Sequence, residues 1–164
     1  MKFTIRPLQE KDCALIGPLI RKVWLHAYKG IQTEQELLDR SFAVHTSELI
    51  RKEIDDPTYH SVVAEVDGEI VGHARSDLNG DIVDIARLYL LKEFYGQGIG
   101  KALLQEVEQH FDHVPYVHLE VFEDNQRAYQ FYLSQGYEVT ERATEVQSEG
   151  NDVFEFKMRK KLRP

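Results

Sequence analysis

Residues 87–111, RLYLLKEFYGQGIGKALLQEVEQHF, change from a strand pattern to a helix pattern across one glycine-rich turn. Leu88 and Leu90 point one way and Arg87, Tyr89 and Leu91 the other, at the two-residue period of a strand. Leu103, Leu104, Val107 and Phe111 then recur at the spacing of one helix face. Between them lies Tyr95-Gly96-Gln97-Gly98-Ile99-Gly100. At a helix start several N–H groups lack intrahelical partners and the macrodipole is positive, so glycines that admit a close approach make a phosphate cradle.

The spacing excludes two nucleotide loops. A Walker loop needs a glycine where the chain has Tyr95 and a Ser or Thr where it has Ala102. The dinucleotide pattern G-x-G-x-x-G fails because Gly96, Gly98 and Gly100 are spaced two apart, and Lys101 fills the last position.

The elements on either side supply a topology. Residues 2–6 alternate as a first strand. Asp12 is a candidate cap for a helix carrying Leu15, Ile16, Leu19, Ile20, Val23, Trp24 and Ala27, with Gly17-Pro18 predicting a kink or a late start. Thr33-x-x-Glu36 is a capping box for a second helix, with a break expected near Val44 to Thr46. Past Pro57 the period changes to two. Strands over 59–66 and 69–77 join through Asp67-Gly68, and Asn79-Gly80 leads into a strand over 81–91. After the loop helix come a strand over 116–122, a helix capped at Asp124 or Asn125 and stopped at Gly136, and strands over 137–146 and 152–158 meeting around Ser148 to Asn151.

At 164 residues this is the length of one domain, 1–164. No apolar run approaches the roughly 20 residues of a membrane span and MKFTIRPL lacks a signal-peptide core, so a soluble cytoplasmic protein is expected. Cys13 is the single cysteine and sits in an apolar helical pattern, which favours a core residue over a nucleophile. The net charge of −8 argues against nonspecific nucleic-acid binding and is compatible with a cationic substrate. The seven histidines show no metal spacing, so no metal is expected.

Two motifs resemble one family. Tyr95-x-x-Gly98-x-Gly100, after a Leu-x-Leu strand and before a helix, is similar to the acyl-coenzyme A loop of the GNAT superfamily of N-acetyltransferases, usually (Arg/Gln)-x-x-Gly-x-(Gly/Ala). Its first position departs from that pattern. Asn125-x-x-Ala128-x-x-Phe131-Tyr132-x-x-x-Gly136-Tyr137 resembles the family's Asn-x-x-Ala-x-x-Phe-Tyr-x-x-x-Gly-Phe segment position by position, and the element order is the GNAT order. The resemblance implies a mixed α/β GNAT fold. Its central, mostly antiparallel sheet is splayed between the fourth and fifth strands and flanked by about four helices. It implies acetyl transfer from acetyl-coenzyme A directly to a primary amine. The main chain from Gly96 through Gln97, Gly98, Ile99 and Gly100 to Lys101 would receive the pyrophosphate. Leu88 and Leu90 would flank the pantetheine arm, and Tyr95 and Asn125 would contact the cofactor. A main-chain N–H near Leu90, at a bulge, would hold the thioester carbonyl, and Tyr132 would donate to the departing thiolate.

The amine's proton is harder to assign. A group with a pKa of about 10.4 is mostly protonated at pH 7, a penalty of roughly 4 to 5 kcal/mol, so a base or a water chain must accept it. Many relatives carry a Glu where this chain has Ala86. Asp84 is the first candidate, since it shares the face of Leu88 if no bulge intervenes. Glu120, His118 and His73 are alternatives. Trp24 and Tyr28, with Glu34, Glu36 and Asp39, offer an aromatic and acidic acceptor pocket, although for the carboxylates a solvated charged face is the preferred reading. The leading acceptor is a small cationic amine or polyamine. Protein or peptide amines, and an acyl-coenzyme A sensor without turnover, are the alternatives; a homodimer fits many relatives.

Overall fold

The computed structural model describes residues 1–148 and 151–164. The chain runs β1 (Thr4–Pro7), α1 (Cys13–Ala27), α2 (Glu34–Val44), α3 (Ser47–Ile54), β2 (Tyr59–Val66), β3 (Glu69–Asn79) and β4 (Ile82–Leu90). It continues through α4 (Ile99–Gln109), β5 (Tyr116–Phe122), α5 (Gln126–Ser134), β6 (Glu138–Ser148) and β7 (Asn151–Lys161). The seven strands form one sheet in the order β1-β2-β3-β4-β5-β7-β6. The turn expected between β6 and β7 falls on 149–150, outside the described residues.

Among the described residues five α-helices form where about four were expected, because the expected break near Val44 to Thr46 separates α2 from α3. Thr46 caps α3 by accepting from the Leu49 N–H at 3.3 Å. The box at α2 forms as read: the Thr33 hydroxyl accepts from the Glu36 N–H, and the Glu36 carboxylate accepts from the Thr33 N–H at 2.8 Å. Asp12 does not cap α1 through its side chain. Its carboxylate accepts from the Gln9 N–H and from Arg6, which also pairs with Glu65. Pro18 lies inside α1, which begins at Cys13 and not after the proline. Gly17 permits a close approach there, since a Cβ at that position would stand 2.5 Å from the His45 carbonyl oxygen.

The sheet has two packed faces. Val83, Ile85, Leu88 and Leu90 of β4 pack with α4 and α5, among Leu103, Leu104, Val107 and Tyr132. Val63 and Tyr89 face α1 and α2, among Ile16, Ile20, Trp24 and Leu37. A strict two-residue alternation cannot put Ile85 and Leu88 on one face. The register explains it: Arg75 pairs with Arg87 but Ser76 pairs with Ile85, so Ala86 is an extra residue and the strand bulges there. The bulge reverses the phase of everything before it.

Beneath α3 the second face holds an ion cluster. The Glu53 carboxylate accepts from Arg87 at 2.7 and 2.9 Å and from Arg75 at 2.6 Å, and Arg75 also pairs with Asp77. Beside it His73 is fully buried with Nδ1 at 3.0 Å from the Val62 carbonyl. Burial, then the Arg87 charge, pushes its pKa down to about 3, so it is a neutral core histidine and not a base for a substrate.

Candidate acetyl-transfer site

The parallel pair β4–β5 holds for only three positions, Ile82 to Tyr116, Val83 to Val117 and Asp84 to His118. Beyond Asp84 the strands part, while β4 stays paired with β3 to Leu90 and β5 with β7 to Phe122. A cleft of about 1440 Å³ opens along this splay. It is lined both by Leu88 and Leu90 from the α4 face and by Arg87 and Tyr89 from the α1 face, so it passes through the sheet.

The ladder orients the main chain at the gap. The Leu91 N–H donates to the Val71 carbonyl at 3.0 Å around the opposed pair Gly72 and Leu90. That makes Gly72–Leu90 a non-hydrogen-bonded pair, so the N–H and C=O of Leu90, and of Leu88 two residues earlier, point away from β3 toward the splay. An extended chain entering the gap finds unpaired donors and acceptors there. The bulge itself lies at Ala86, several residues before the Leu90 position expected for it.

The glycine loop closes one end of the cleft. Gly96 and Gly98 have φ of +75° and +84°, a region that favours glycine, and α4 starts directly after them. Gly98 offers no side-chain cap, and the first intrahelical bond runs from the Ala102 N–H to the Gly98 carbonyl at 3.1 Å. The N–H groups of Ile99, Gly100 and Lys101 therefore precede the helical ladder and are open to an anion. This arrangement fits a pyrophosphate. Gly96, Gly98, Gly100, Lys101 and Tyr95 line the cleft. Gln97 and Ile99 do not: the Gln97 amide bonds the Glu93 carbonyl at 3.4 Å, and Ile99 is buried in the core.

From the other wall, α5 presents Asn125, Arg127, Phe131 and Tyr132. Asn125 caps the helix, its side-chain oxygen accepting from the Ala128 N–H at 3.4 Å, so cap and cleft-lining roles coincide. Tyr132 is buried between Phe131 and Tyr137, with ring centroids 5.4 and 5.7 Å away. Burial, and then the neighbouring Tyr89 hydroxyl, push its phenol well above its ordinary pKa. At neutral pH it is a proton donor.

Trp24 and Tyr28 of the α1 region line the opposite side with Tyr89 and Arg40. Tyr28 packs edge-on against Phe122 at 4.9 Å, and its hydroxyl is raised by burial and by Tyr89 and Tyr132, which brings three tyrosines together across the splay. As the solvated-face reading has it, α2 supplies no acidic wall to the cleft. Glu34 is exposed, Glu36 is spent on its cap, and Asp39 accepts from Gln35 at 2.7 Å. Carboxylates come instead from the sheet. Asp84 opposes His118, and alternation along β5 sets Glu120 and Phe122 on the same face, with Glu155 opposite Phe122. Asp84, Glu120 and Glu155 all line the cleft.

The bulge corrects the reading of Asp84. With Ala86 inserted, Asp84 shares the face of Arg87 and Tyr89, not that of Leu88, and it accepts from the Asn79 amide at 2.6 Å. Glu120 is exposed and makes no side-chain bond among the described residues. Sequence reasoning missed Tyr89 and Arg127. Tyr89 was visible only as the residue alternating with two leucines, and Arg127 only as a position near a cap.

A family model described as the acetyltransferase (GNAT) domain matches residues 28–162. The chain belongs to this family of acetyl-coenzyme A-dependent acyltransferases. It is 25% identical to the spermidine N(1)-acetyltransferase of Thermoplasma acidophilum, with 98% of each chain covered. The crystal structure of the PaiA N-acetyltransferase from the same organism, in complex with coenzyme A, superposes with a TM-score of 0.85 at 25% identity, covering 98% of this chain and 99% of that one. It is also 36% identical to the peptidyl-lysine N-acetyltransferase YiaC of Escherichia coli, over 49% of this chain and about half, 51%, of that protein.

Proposed function

We propose that the protein moves an acetyl group from acetyl-coenzyme A to a primary amine of a small cationic acceptor of polyamine type. The observation that carries this reading is the acceptor half of the cleft, where Asp84, Glu120 and Glu155 lie beside the aromatic side chains Trp24, Tyr28 and Phe122. Carboxylates and aromatic faces are the surfaces that bind ammonium groups. The similarity to a spermidine acetyltransferase along nearly the whole chain supports it.

In this reaction the bound ammonium first loses one proton, the neutral nitrogen attacks the thioester carbon, the C–S bond breaks, and the nitrogen loses a second proton as the amide forms. Glu120, free of other side-chain bonds among the described residues, accepts the first of these protons directly or through water. The Leu90 N–H meets the oxygen on which negative charge develops, a contact worth about 3 kcal/mol when well aimed. The Tyr132 hydroxyl donates its proton to the departing sulfur and is restored by the second proton that the nitrogen gives up.

Glu120→Gln is expected to lower kcat/KM about a hundredfold at pH 7, in the usual range for a lost acid–base group. The deficit shrinks as the pH rises toward the amine's own pKa, because the free amine then arrives already neutral. Asp84→Asn, whose parent carboxylate is occupied by Asn79, is expected to cost much less. A larger loss in Asp84→Asn than in Glu120→Gln would transfer the role to Asp84.

A second reading, acetylation of a peptide lysine, has one observation in its favour. Arg40 lines the acceptor half with its guanidinium 4.6 Å over the Trp24 ring and no carboxylate partner among the described residues, a surface suited to a peptide's acidic groups. Comparing kcat/KM for spermidine and for a lysine peptide separates the two. The polyamine reading predicts a ratio of at least about tenfold toward spermidine, or roughly 1.4 kcal/mol in transition-state binding. A preference for the peptide would establish the second reading.

A further inference from the structure

Resting on the acetyl-coenzyme A reading above, we propose that Arg127 binds a phosphate of coenzyme A, held for that task by stacking on Tyr95. The Arg127 guanidinium lies 3.8 Å from the centroid of the Tyr95 ring, and both residues line the cleft beside Gly96, Gly98 and Lys101. Tyr95 opens the glycine loop and Arg127 is in the first turn of α5, so the stack spans the cleft mouth from one wall to the other. His26, with its ring 6.4 Å from Tyr95, flanks the tyrosine from α1.

The charges around the stack point to an anionic ligand. The chain carries 28 acidic and 20 basic residues, yet Arg127 and Lys101 have no carboxylate partner among the described residues. Of the two acids that precede Arg127 by three and four residues, Glu123 is occupied by Arg142 at 2.8 and 2.9 Å, and Asp124, exposed, makes no ion pair with Arg127 among the described residues. Two exposed cations thus stand at the rim of a cradle of open main-chain N–H groups. An arginine pressed flat on an aromatic ring keeps its edge donors free and has already lost much of its rotamer freedom, which suits bidentate contact with a phosphate. The same geometry accounts for Tyr95 where the family pattern has Arg or Gln: the cation has moved to the facing helix, and the loop supplies the platform beneath it.

Calorimetric titration of the protein with coenzyme A at fixed low ionic strength tests this. Arg127→Ala is expected to weaken Kd roughly tenfold, the scale of one charge-assisted contact, with Arg127→Lys in between because it keeps the charge but not the planar fork. The double variant Tyr95→Arg with Arg127→Ala is expected to recover most of the affinity by returning the cation to the loop. Titration with 3′-dephospho-coenzyme A assigns the contact. A penalty that persists puts Arg127 on the pyrophosphate, and one that vanishes puts it on the 3′-phosphate. An unchanged melting temperature in Arg127→Ala marks the loss as binding and not folding. Arg127→Ala with Kd within twofold of wild type would overturn the proposal, whereas a wild-type protein that binds no coenzyme A would overturn the reading beneath it.

Discussion

Tyr132→Phe is expected to lower kcat about a hundredfold while coenzyme A binds within about twofold of wild type, the pattern of an interaction made only in the transition state. The phenylalanine keeps the ring against Phe131 and Tyr137, so the packing that holds α5 to the sheet survives. Only the hydroxyl is lost. That hydroxyl is buried and raised well above its ordinary pKa, so it is protonated throughout the working range and has a proton to give as sulfur leaves. The expected loss is therefore flat with pH near neutrality, unlike the Glu120→Gln loss, which shrinks as the amine deprotonates. Steady-state rates from pH 6 to 9, with coenzyme A titrations of both variants, distinguish the two roles. Unchanged turnover in Tyr132→Phe would remove the hydroxyl from the reaction and leave the ring as core.

The largest effect on stability is expected at Glu53. This carboxylate is 7% exposed and accepts from Arg75, Arg87 and the Ser61 hydroxyl. Glu53→Ala leaves Arg87, itself 8% exposed, as a buried cation with His73 at 3.4 Å as its remaining partner. Breaking a buried pair from one side typically costs about 3 to 5 kcal/mol, since the stranded charge cannot regain its water. Replacing both sides at once, Glu53→Met with Arg87→Met, is expected to lose less than the single change, because no unpaired charge remains. Denaturant unfolding of the single and double variants measures the difference. Equal or additive losses would mean that the pair contributes through packing alone. The cluster also matters to function through β4: Arg87 and Tyr89 line the cleft, and Glu53 ties that strand to α3 beside the splay.

Much of this fold was legible because periodicity and cap chemistry are local. The change of period after Pro57, the hairpin at Asp67-Gly68, the box at Thr33 and the loop from Gly96 to Gly100 each depend on neighbours within a few residues. Two separated motifs then fixed the family. What escaped was set by pairing between distant segments. The bulge at Ala86 exists only in the register between β3 and β4, and it turned Asp84 away from the face of Leu88. The orientation of the Leu90 N–H follows from a bond between Leu91 and Val71, which no spacing encodes. The acidic floor comes from Asp84, Glu120 and Glu155 on three strands, whereas the acid-rich stretch of α2 that drew attention is a cap and a solvated face. The stack of Arg127 on Tyr95 likewise joins positions that look unrelated in the chain.

The splayed cleft is expected to catalyse acetyl transfer to an amine. Free thiol released from acetyl-coenzyme A by the wild-type protein, followed with and without spermidine, reads this out. Release is expected to require the amine, to saturate with it and to be matched by acetylated spermidine. Tight binding of acetyl-coenzyme A with no amine-dependent release, across spermidine, simple diamines and lysine peptides, would rule out catalysis of this transfer and mark the chain as an acyl-coenzyme A sensor.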